Sequence, residues 1–178
     1  MPSLVAGVNT ILVAMASDSR VVLTQGVSQY RATVPHLVGP SDSVLEVGCA
    51  TGKTTKIIAA HAAWVLAIDQ SSKVLEAREL GLRNARFERW NAWDIDTIRS
   101  VATRFDRIYV DISGSGSVEA VIRLVRSYEN AFGPQVVVVK NSRLKAFVSS
   151  CHVWGDESAK ASMRSGPSSQ ELFLDSSG

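Results

Sequence analysis

Two charged side chains that could move a proton follow two of the most apolar runs of the sequence. Asp111 follows Ile108-Tyr109-Val110, and Lys140 ends the run QVVVVK at residues 135–140. If both runs are strands of one parallel sheet, their carboxyl ends lie at the same edge and bring the carboxylate and the amine together. Such a pair at the mouth of a sheet suits general acid–base chemistry. We expect Asp111 and Lys140 to form the reaction centre.

A glycine loop, EVGCATGKTT at residues 46–55, allows two interpretations. Its end, Gly-Lys-Thr, is typical of a phosphate-binding P-loop, and Asp111 would then be the residue that follows a strand to bind magnesium. That motif requires a glycine at position 47, where this chain has valine. The dinucleotide pattern Gly-x-Gly-x-x-Gly is also absent, because position 50 is alanine. The nucleotide triphosphatase therefore remains a minor alternative, and a nicotinamide cofactor is disfavoured.

The loop fits a nucleoside site better. Gly48 and Gly52 allow a sharp turn and the close approach of a ligand to the backbone. Asp69 ends the next apolar run, 21 residues after Gly48, where an acidic residue can accept hydrogen bonds from ribose hydroxyls. The combination predicts a nucleoside held between the loop and Asp69.

Short apolar runs alternate with amphipathic stretches from residue 43 onward. Continuous β-branched strands separated by helices are typical of a parallel sheet covered on both faces. The sequence therefore predicts a single α/β domain with a doubly wound, mostly parallel sheet. The expected strands are 44–47, 64–68, 85–89, 107–110 and 135–140, and the expected helices are 53–61, 72–80, 95–104 and 117–132.

The two ends of the chain fit this alternation less well. We expect residues 1–42 to be an N-terminal extension that packs on the domain of residues 43–178, with a strand at 21–23 and a helical stretch at 25–37 interrupted by Pro35. The apolar stretch 4–16 is interpreted as a buried strand or hairpin, with a secretory signal as the alternative. The tail 155–169 is expected to be a loop that precedes a short strand at 171–174.

Composition sets outer bounds on function. The net charge of +2 is too small to indicate a nucleic-acid partner by itself, and the two cysteines, Cys49 and Cys151, have no metal-ligand spacing. We expect no metal site, no membrane span and a cytoplasmic location, with secretion or an organelle as the alternative. The oligomeric state is left open.

The loop, Asp69 and the segment after the third strand together resemble the class I S-adenosylmethionine-dependent methyltransferases, over about residues 43–140. This resemblance implies a Rossmann-like methyltransferase fold and S-adenosylmethionine as cofactor. Glu46 and the Gly48–Gly52 backbone, including Cys49 and Ala50, would face the methionine part. Asp69 and Gln70 would lie at the ribose, and Asn91 and Ala92, in WNAWD at residues 90–94, at the adenine.

The reaction centre resembles that of the FtsJ-like RNA ribose 2′-O-methyltransferases. Their pattern of aspartate, lysine and glutamate is matched in order by Asp111, Lys140 and Glu171, the last following Gly166-Pro167-Ser168-Ser169-Gln170. Arg31 lies in the region where that family has a further lysine. The resemblance implies RNA as partner and a ribose hydroxyl as methyl acceptor. A small-molecule or protein methyltransferase, and a non-catalytic nucleoside-binding module, are the alternatives.

Overall fold

The computed structural model describes residues 20–112 and 117–152. Six strands form one sheet in which every neighbouring pair is parallel, in the order β1-β6-β5-β2-β3-β4. The strands are β1 Arg20–Thr24, β2 Ser43–Val47, β3 Trp64–Ile68, β4 Ala85–Glu88, β5 Arg107–Val110 and β6 Val136–Lys140. The doubly wound α/β prediction is thus confirmed.

Helices follow the strands and cover both faces of the sheet. They are α1 Val27–Ala32, α2 Val34–Leu37, α3 Lys53–Ala59, α4 Lys73–Ala77 with a 3₁₀ turn at Arg78–Leu80, α5 Ile95–Arg99, α6 Val118–Phe132 and α7 Ser142–Ser150. Because alternate residues of a strand point to opposite faces, each β-branched strand feeds two cores. One core packs α5, α6 and Leu144 of α7 against the sheet, and the other packs α1 to α4.

Several element bounds differ from the expectations in ways that local hydrogen bonds explain. The predicted helix 95–104 ends at Arg99, because the amides of Val101 and Ala102 both bond to the Ile98 carbonyl and close the helix. The stretch 25–37 divides at Thr33 into α1 and α2, and Pro35 lies in the first turn of α2, where no intrahelical amide bond is lost.

The N-terminal strand is longer than expected and belongs to the sheet itself. β1 pairs with β6 along its whole length, with Thr24 opposite Lys140. Residues 20–42 of the expected N-terminal extension therefore supply the edge strand and two helices of the second core. The division of the chain at residue 42 stays a prediction, and the expected elements at 4–16, 155–169 and 171–174 lie outside the described residues.

Helix α7 was not predicted. Its first turn is capped by Asn141, whose side chain accepts a hydrogen bond from the Leu144 amide at 2.8 Å. Asparagine is among the best N-cap residues, so Asn141 before Ser-Arg-Leu-Lys was the signal that could have found this helix.

Candidate functional site

The sheet has a crevice where its winding direction reverses. The chain runs outward from β2 through β3 to β4 on one side, and from β5 to β6 on the other, so β2 and β5 flank the switch point. Ligands of doubly wound sheets bind outside the carboxyl ends of the strands at such a point. Here Gly48 and Asp111 meet so closely that a Cβ on Gly48 would lie 1.9 Å from the Asp111 carbonyl oxygen.

The glycine loop after β2 is a tight turn whose amides are bonded within the protein. Gly48, Ala50 and Gly52 have φ values of 87°, 46° and 74°, all in the left-handed region. The amides of Gly48 and Cys49 donate to the Ile68 carbonyl, and that of Gly52 donates to the Cys49 carbonyl. A P-loop needs such amides to wrap a phosphate chain, so this geometry argues against the triphosphatase interpretation.

Asp69 connects the loop to the end of β3. Its Oδ2 accepts a hydrogen bond from the Ala50 amide at 2.8 Å, and its Oδ1 accepts one from the Ser71 amide at 2.8 Å. An ionised carboxylate has about four acceptor positions. The two amides therefore fix the orientation of Asp69 and leave acceptor capacity for a ligand.

A cavity of about 240 Å³ opens at this crevice. The carboxyl ends of β2, β3, β4 and β5 all contribute to its wall, together with one residue of α6. The lining residues are Val47, Gly48, Ile68, Asp69, Gln70, Trp90, Asn91, Ala92, Trp93, Asp111, Ile112 and Ala120. The wall thus combines apolar and aromatic surface with four polar side chains, those of Asp69, Gln70, Asn91 and Asp111, which is the usual composition of a small-molecule site.

The segment after β4 contacts α6 and is also stabilised by a hydrogen bond of its own. The Tyr128 hydroxyl, on α6, donates to the Ala92 carbonyl at 2.6 Å. Asn91 Oδ1 accepts from the Trp93 amide at 3.1 Å, and Arg123 lies over the Trp93 ring at 5.9 Å from its centroid. Tyr128 was not anticipated from the sequence, because its role depends on how α6 packs beneath this segment.

Asp111 and Lys140 form an ion pair at the edge of the cavity. Lys140 Nζ lies 2.7 Å from Asp111 Oδ2, and each side chain is 18% exposed. The two groups meet because β5 and β6 are parallel neighbours in the sheet, so their carboxyl ends lie side by side. Asp111 lines the cavity, whereas Lys140 is not among its lining residues.

Glu46 lies on the other side of the loop, in the core formed with α1 and α3. It is 1% exposed, and Thr55 Oγ1 donates a hydrogen bond to its Oε2 at 2.5 Å. Burial raises the pKa of Glu46 from its ordinary 4.5 to about 7, although the Thr55 hydrogen bond opposes the shift. The nearby Tyr30 hydroxyl is buried and has no hydrogen-bond partner within the described residues.

The predicted site residues therefore divide into groups. Those that line the cavity are Gly48, Asp69, Gln70, Asn91, Ala92 and Asp111. Those that do not line it are Glu46, Cys49, Ala50, Gly52 and Lys140. Cys49 is buried, and burial raises the pKa of its thiol well above the ordinary value. Glu171 lies outside the described residues.

Within 20–112 and 117–152, no three histidine, cysteine, aspartate or glutamate side chains are grouped as a metal ion would require. No helix in this part of the chain is long and apolar enough to cross a membrane.

Comparisons with known proteins relate the fold to solved structures. No protein-family model and no curated protein matches the sequence. An rRNA methylase from Streptococcus thermophilus aligns with a TM-score of 0.51 at 9% identity, covering 72% of this chain and 81% of that one. A precorrin 8W decarboxylase from Methanobacterium thermoautotrophicum aligns with a TM-score of 0.53 at 21% identity, covering 72% and 70%.

A third match is local. Part of the Trypanosoma brucei PRMT1 enzyme-prozyme complex with AdoHcy is 30% identical over 49% of this chain, with a TM-score of 0.40. This chain covers only 28% of the length of that protein. The two longer matches establish the architecture: the chain has the Rossmann-like fold that the rRNA methylase shares. At these identities the likeness extends to the fold alone.

Proposed function

We propose that this protein is an S-adenosylmethionine-dependent methyltransferase. The observation that carries the proposal is the cavity at the switch point, where the fixed Asp69 carboxylate and the Asn91 side chain line one wall and Gly48 and Asp111 another. A nucleoside that lies across these strand ends would meet these groups in this order. A triphosphate at the same place would face the negatively charged Asp69 carboxylate, whereas a phosphate chain needs backbone amides that are free to donate hydrogen bonds.

The residues present fit the cofactor by their chemistry. Asp69 would accept hydrogen bonds from the ribose hydroxyls, Asn91 would pair with the adenine edge, and Trp93 would supply an aromatic face. The turn at Gly48 would leave room for the methionine part beside Asp111. When bound, the cofactor supplies an electrophilic methyl group, and the protein aligns the acceptor and removes its proton.

For the acceptor we propose a ribose 2′-hydroxyl of RNA. The Asp111–Lys140 pair supports this choice, because an alkyl hydroxyl must lose a proton as it forms its bond to the methyl carbon. Lys140 would take part in that proton transfer, and Asp111 would hold Lys140 and orient the hydroxyl. Glu171 is the third residue of the proposed centre.

Labelled-methyl transfer into total RNA tests both parts of the proposal. We expect wild-type protein to incorporate tritiated methyl groups into RNA, and the product to survive alkali as methylated dinucleotides, since a 2′-O-methyl group blocks cleavage of the adjoining phosphodiester. Lys140→Ala should lower incorporation at least a hundredfold, in the usual range for loss of acid–base catalysis. The control Lys73→Ala, an exposed lysine on α4, should match the wild type.

Four results would contradict the proposal at different levels. Label in mononucleotides after alkali would exclude ribose as the acceptor. Full activity of Lys140→Ala would exclude the proposed centre, and label in protein or in a small molecule would exclude RNA. Failure to transfer to any of these acceptors, with no binding of S-adenosylhomocysteine, would exclude a methyltransferase.

A further inference from the structure

Net positive charge marks three helices, because the segments that contain them hold lysines and arginines but no carboxylates. Segments 25–41, 48–68 and 141–152 hold none of the 17 aspartates and glutamates of the chain, yet they hold five of its 19 lysines and arginines. We call these five residues the basic rim: Arg31 on α1, Lys53 and Lys56 on α3, and Arg143 and Lys145 on α7. Since the whole chain carries only +2, its charge is strongly segregated.

Two hydrogen bonds join the three helices of the basic rim. Arg31 Nε donates to Thr54 Oγ1 at 3.0 Å, which links α1 to α3. Lys145 Nζ donates to Gln29 Oε1 at 2.9 Å, which links α7 to α1. Both acceptors are neutral, so these contacts position the cations without cancelling their charge. Within the described ranges, none of the five forms an ion pair.

The opposite edge of the sheet provides a contrast. Arg78 and Arg86, beside β4, lie 3.1 Å and 2.8 Å from the two carboxylate oxygens of Glu88. Glu76 and Glu79 follow on the neighbouring helical segment. Because carboxylates there offset the arginines, that edge offers a polyanion less attraction than the basic rim does.

An exposed aromatic side chain accompanies the cations on α7. Phe147 is 63% exposed, the largest exposure among the large hydrophobic side chains of the described residues. It lies four residues after Arg143, so the two share one helix face. Aromatic rings beside cations are the two elements of single-stranded nucleic-acid sites, in which bases stack on the rings and phosphates contact the cations.

The basic rim also adjoins the proposed reaction centre. Lys140 is paired in register with Thr24, and the Asn141 amide donates to the Thr24 carbonyl at 3.0 Å, so α1 and α7 both leave the sheet beside Lys140. Phe147 follows five residues after the start of α7, or about 7.5 Å along the helix. A short length of polynucleotide could therefore span from Phe147 to Lys140.

We propose that the basic rim and Phe147 form a docking surface for single-stranded RNA. The phosphates contact Arg31, Lys53 and the α7 cations, and one base stacks on Phe147 while a nearby ribose enters the Asp111–Lys140 centre. The placement of the ribose rests on the proposed function, whereas the docking surface itself is tested without the methyl donor.

The test is fluorescence anisotropy with a labelled oligouridylate of about ten nucleotides, titrated at several salt concentrations. For single strands, each phosphate contact contributes about 0.7 to the slope of log K against log salt. The variant Arg143→Ala/Lys145→Ala should therefore lose about 1.4 from the slope. The control Lys73→Ala/Arg83→Ala removes the same charge from the β4 side and should keep the wild-type slope.

Phe147 is tested by two substitutions in the same assay. Phe147→Ala should weaken binding by about fivefold or more at an unchanged salt slope, and Phe147→Trp should restore it, because base stacking adds affinity without releasing ions. Duplex RNA of equal length should not respond to Phe147→Ala, since its bases are already stacked.

The docking surface is overturned if the α7 double variant keeps the wild-type slope, or if Phe147→Ala binds the oligouridylate as the wild type does. Titration of the same variants with S-adenosylhomocysteine separates this failure from failure of the proposed function. If the variants bind both S-adenosylhomocysteine and RNA as the wild type does, the docking surface alone is rejected. If the wild type itself does not bind S-adenosylhomocysteine, the proposed function is rejected.

Discussion

At the scale of single residues, Ala50 is the clearest source of local strain. It is the non-glycine residue with positive φ in the described part of the chain, at 46°, between Gly48 and Gly52. The left-handed conformation costs an L-residue roughly 1–2 kcal/mol, and it is tolerated here because the Ala50 amide is fixed by Asp69. The strain lies in the turn that shapes the cavity.

The substitution Ala50→Gly should therefore raise the free energy of unfolding, by up to about 1 kcal/mol after the added chain entropy of glycine is subtracted. The control is Ala60→Gly at the end of α3, where φ is −70° and glycine should lower stability by roughly 0.5–1 kcal/mol. Urea denaturation measures both. Destabilisation by Ala50→Gly equal to that of Ala60→Gly would contradict the strain.

Glu46 makes a second prediction at this scale, because its folded pKa of about 7 lies above its ordinary 4.5. Below pH 4.5 the Glu46 carboxyl is neutral in both the folded and the unfolded chain, so its ionisation does not lower the free energy of unfolding. Between pH 4.5 and 7 the unfolded chain loses the proton while the folded chain keeps it, so stability falls as pH rises, by about 3 kcal/mol in total.

Glu46→Gln should remove this part of the pH dependence, because glutamine keeps an acceptor for Thr55 and does not titrate. Denaturation of wild type and variant from pH 4.5 to 8 gives the comparison, and the difference between them should change steadily up to about pH 7 and then level off. A difference that is constant over this range would show that the buried carboxyl is not the titrating group.

At the scale of elements, helix α6 holds one wall of the cavity in position. Its N-terminus is capped by Ser117, whose hydroxyl accepts from the Ala120 amide at 3.1 Å, and it ends at Gly133 in the left-handed conformation. Tyr128 on this helix holds the segment of Asn91 and Trp93 through the Ala92 carbonyl. The helix thereby positions one wall of the cavity.

Tyr128→Phe should weaken S-adenosylhomocysteine binding about five- to tenfold, because one hydrogen bond that orders this wall is lost at a net cost of about 1 kcal/mol. The control is Ser127→Ala, which removes a hydroxyl bonded within α6 to the Arg123 carbonyl and should bind as the wild type does. Calorimetry measures the affinities. If Tyr128→Phe and the wild type bind S-adenosylhomocysteine with equal affinity, the hydrogen bond from Tyr128 does not contribute to ordering this wall.

The elements also show what sequence patterns can and cannot supply. β2, β3, β5 and β6 are buried on both faces, so their continuous apolar runs identified them and placed Asp69, Asp111 and Lys140 at the carboxyl edge. The early end of α5 and the existence of α7 depend on local caps that a search for periodicity overlooks. The contact of Tyr128 with Ala92 depends on tertiary packing, which leaves no local signal.

At the scale of the whole molecule, one parallel sheet places two different surfaces side by side. The switch point between β2 and β5 forms the cavity, and the edge at β6 and β1 leads to the basic rim. The Asp111–Lys140 pair lies between them, with Asp111 on the cavity wall and Lys140 beside the start of α7. A cofactor in the cavity and an acceptor on the basic rim would thus approach the same pair from two sides.

The central claim is that the cavity holds the nucleoside of S-adenosylmethionine, and titration calorimetry with S-adenosylhomocysteine tests it most directly. We predict saturable binding of one ligand to the wild type and at least a tenfold loss in Asp69→Asn, since hydrogen bonds to a charged group contribute about 1.5–3 kcal/mol. Asp96→Asn, an exposed carboxylate on α5, should bind as the wild type does. No binding to the wild type, or equal binding by Asp69→Asn with its fold intact, would contradict the claim.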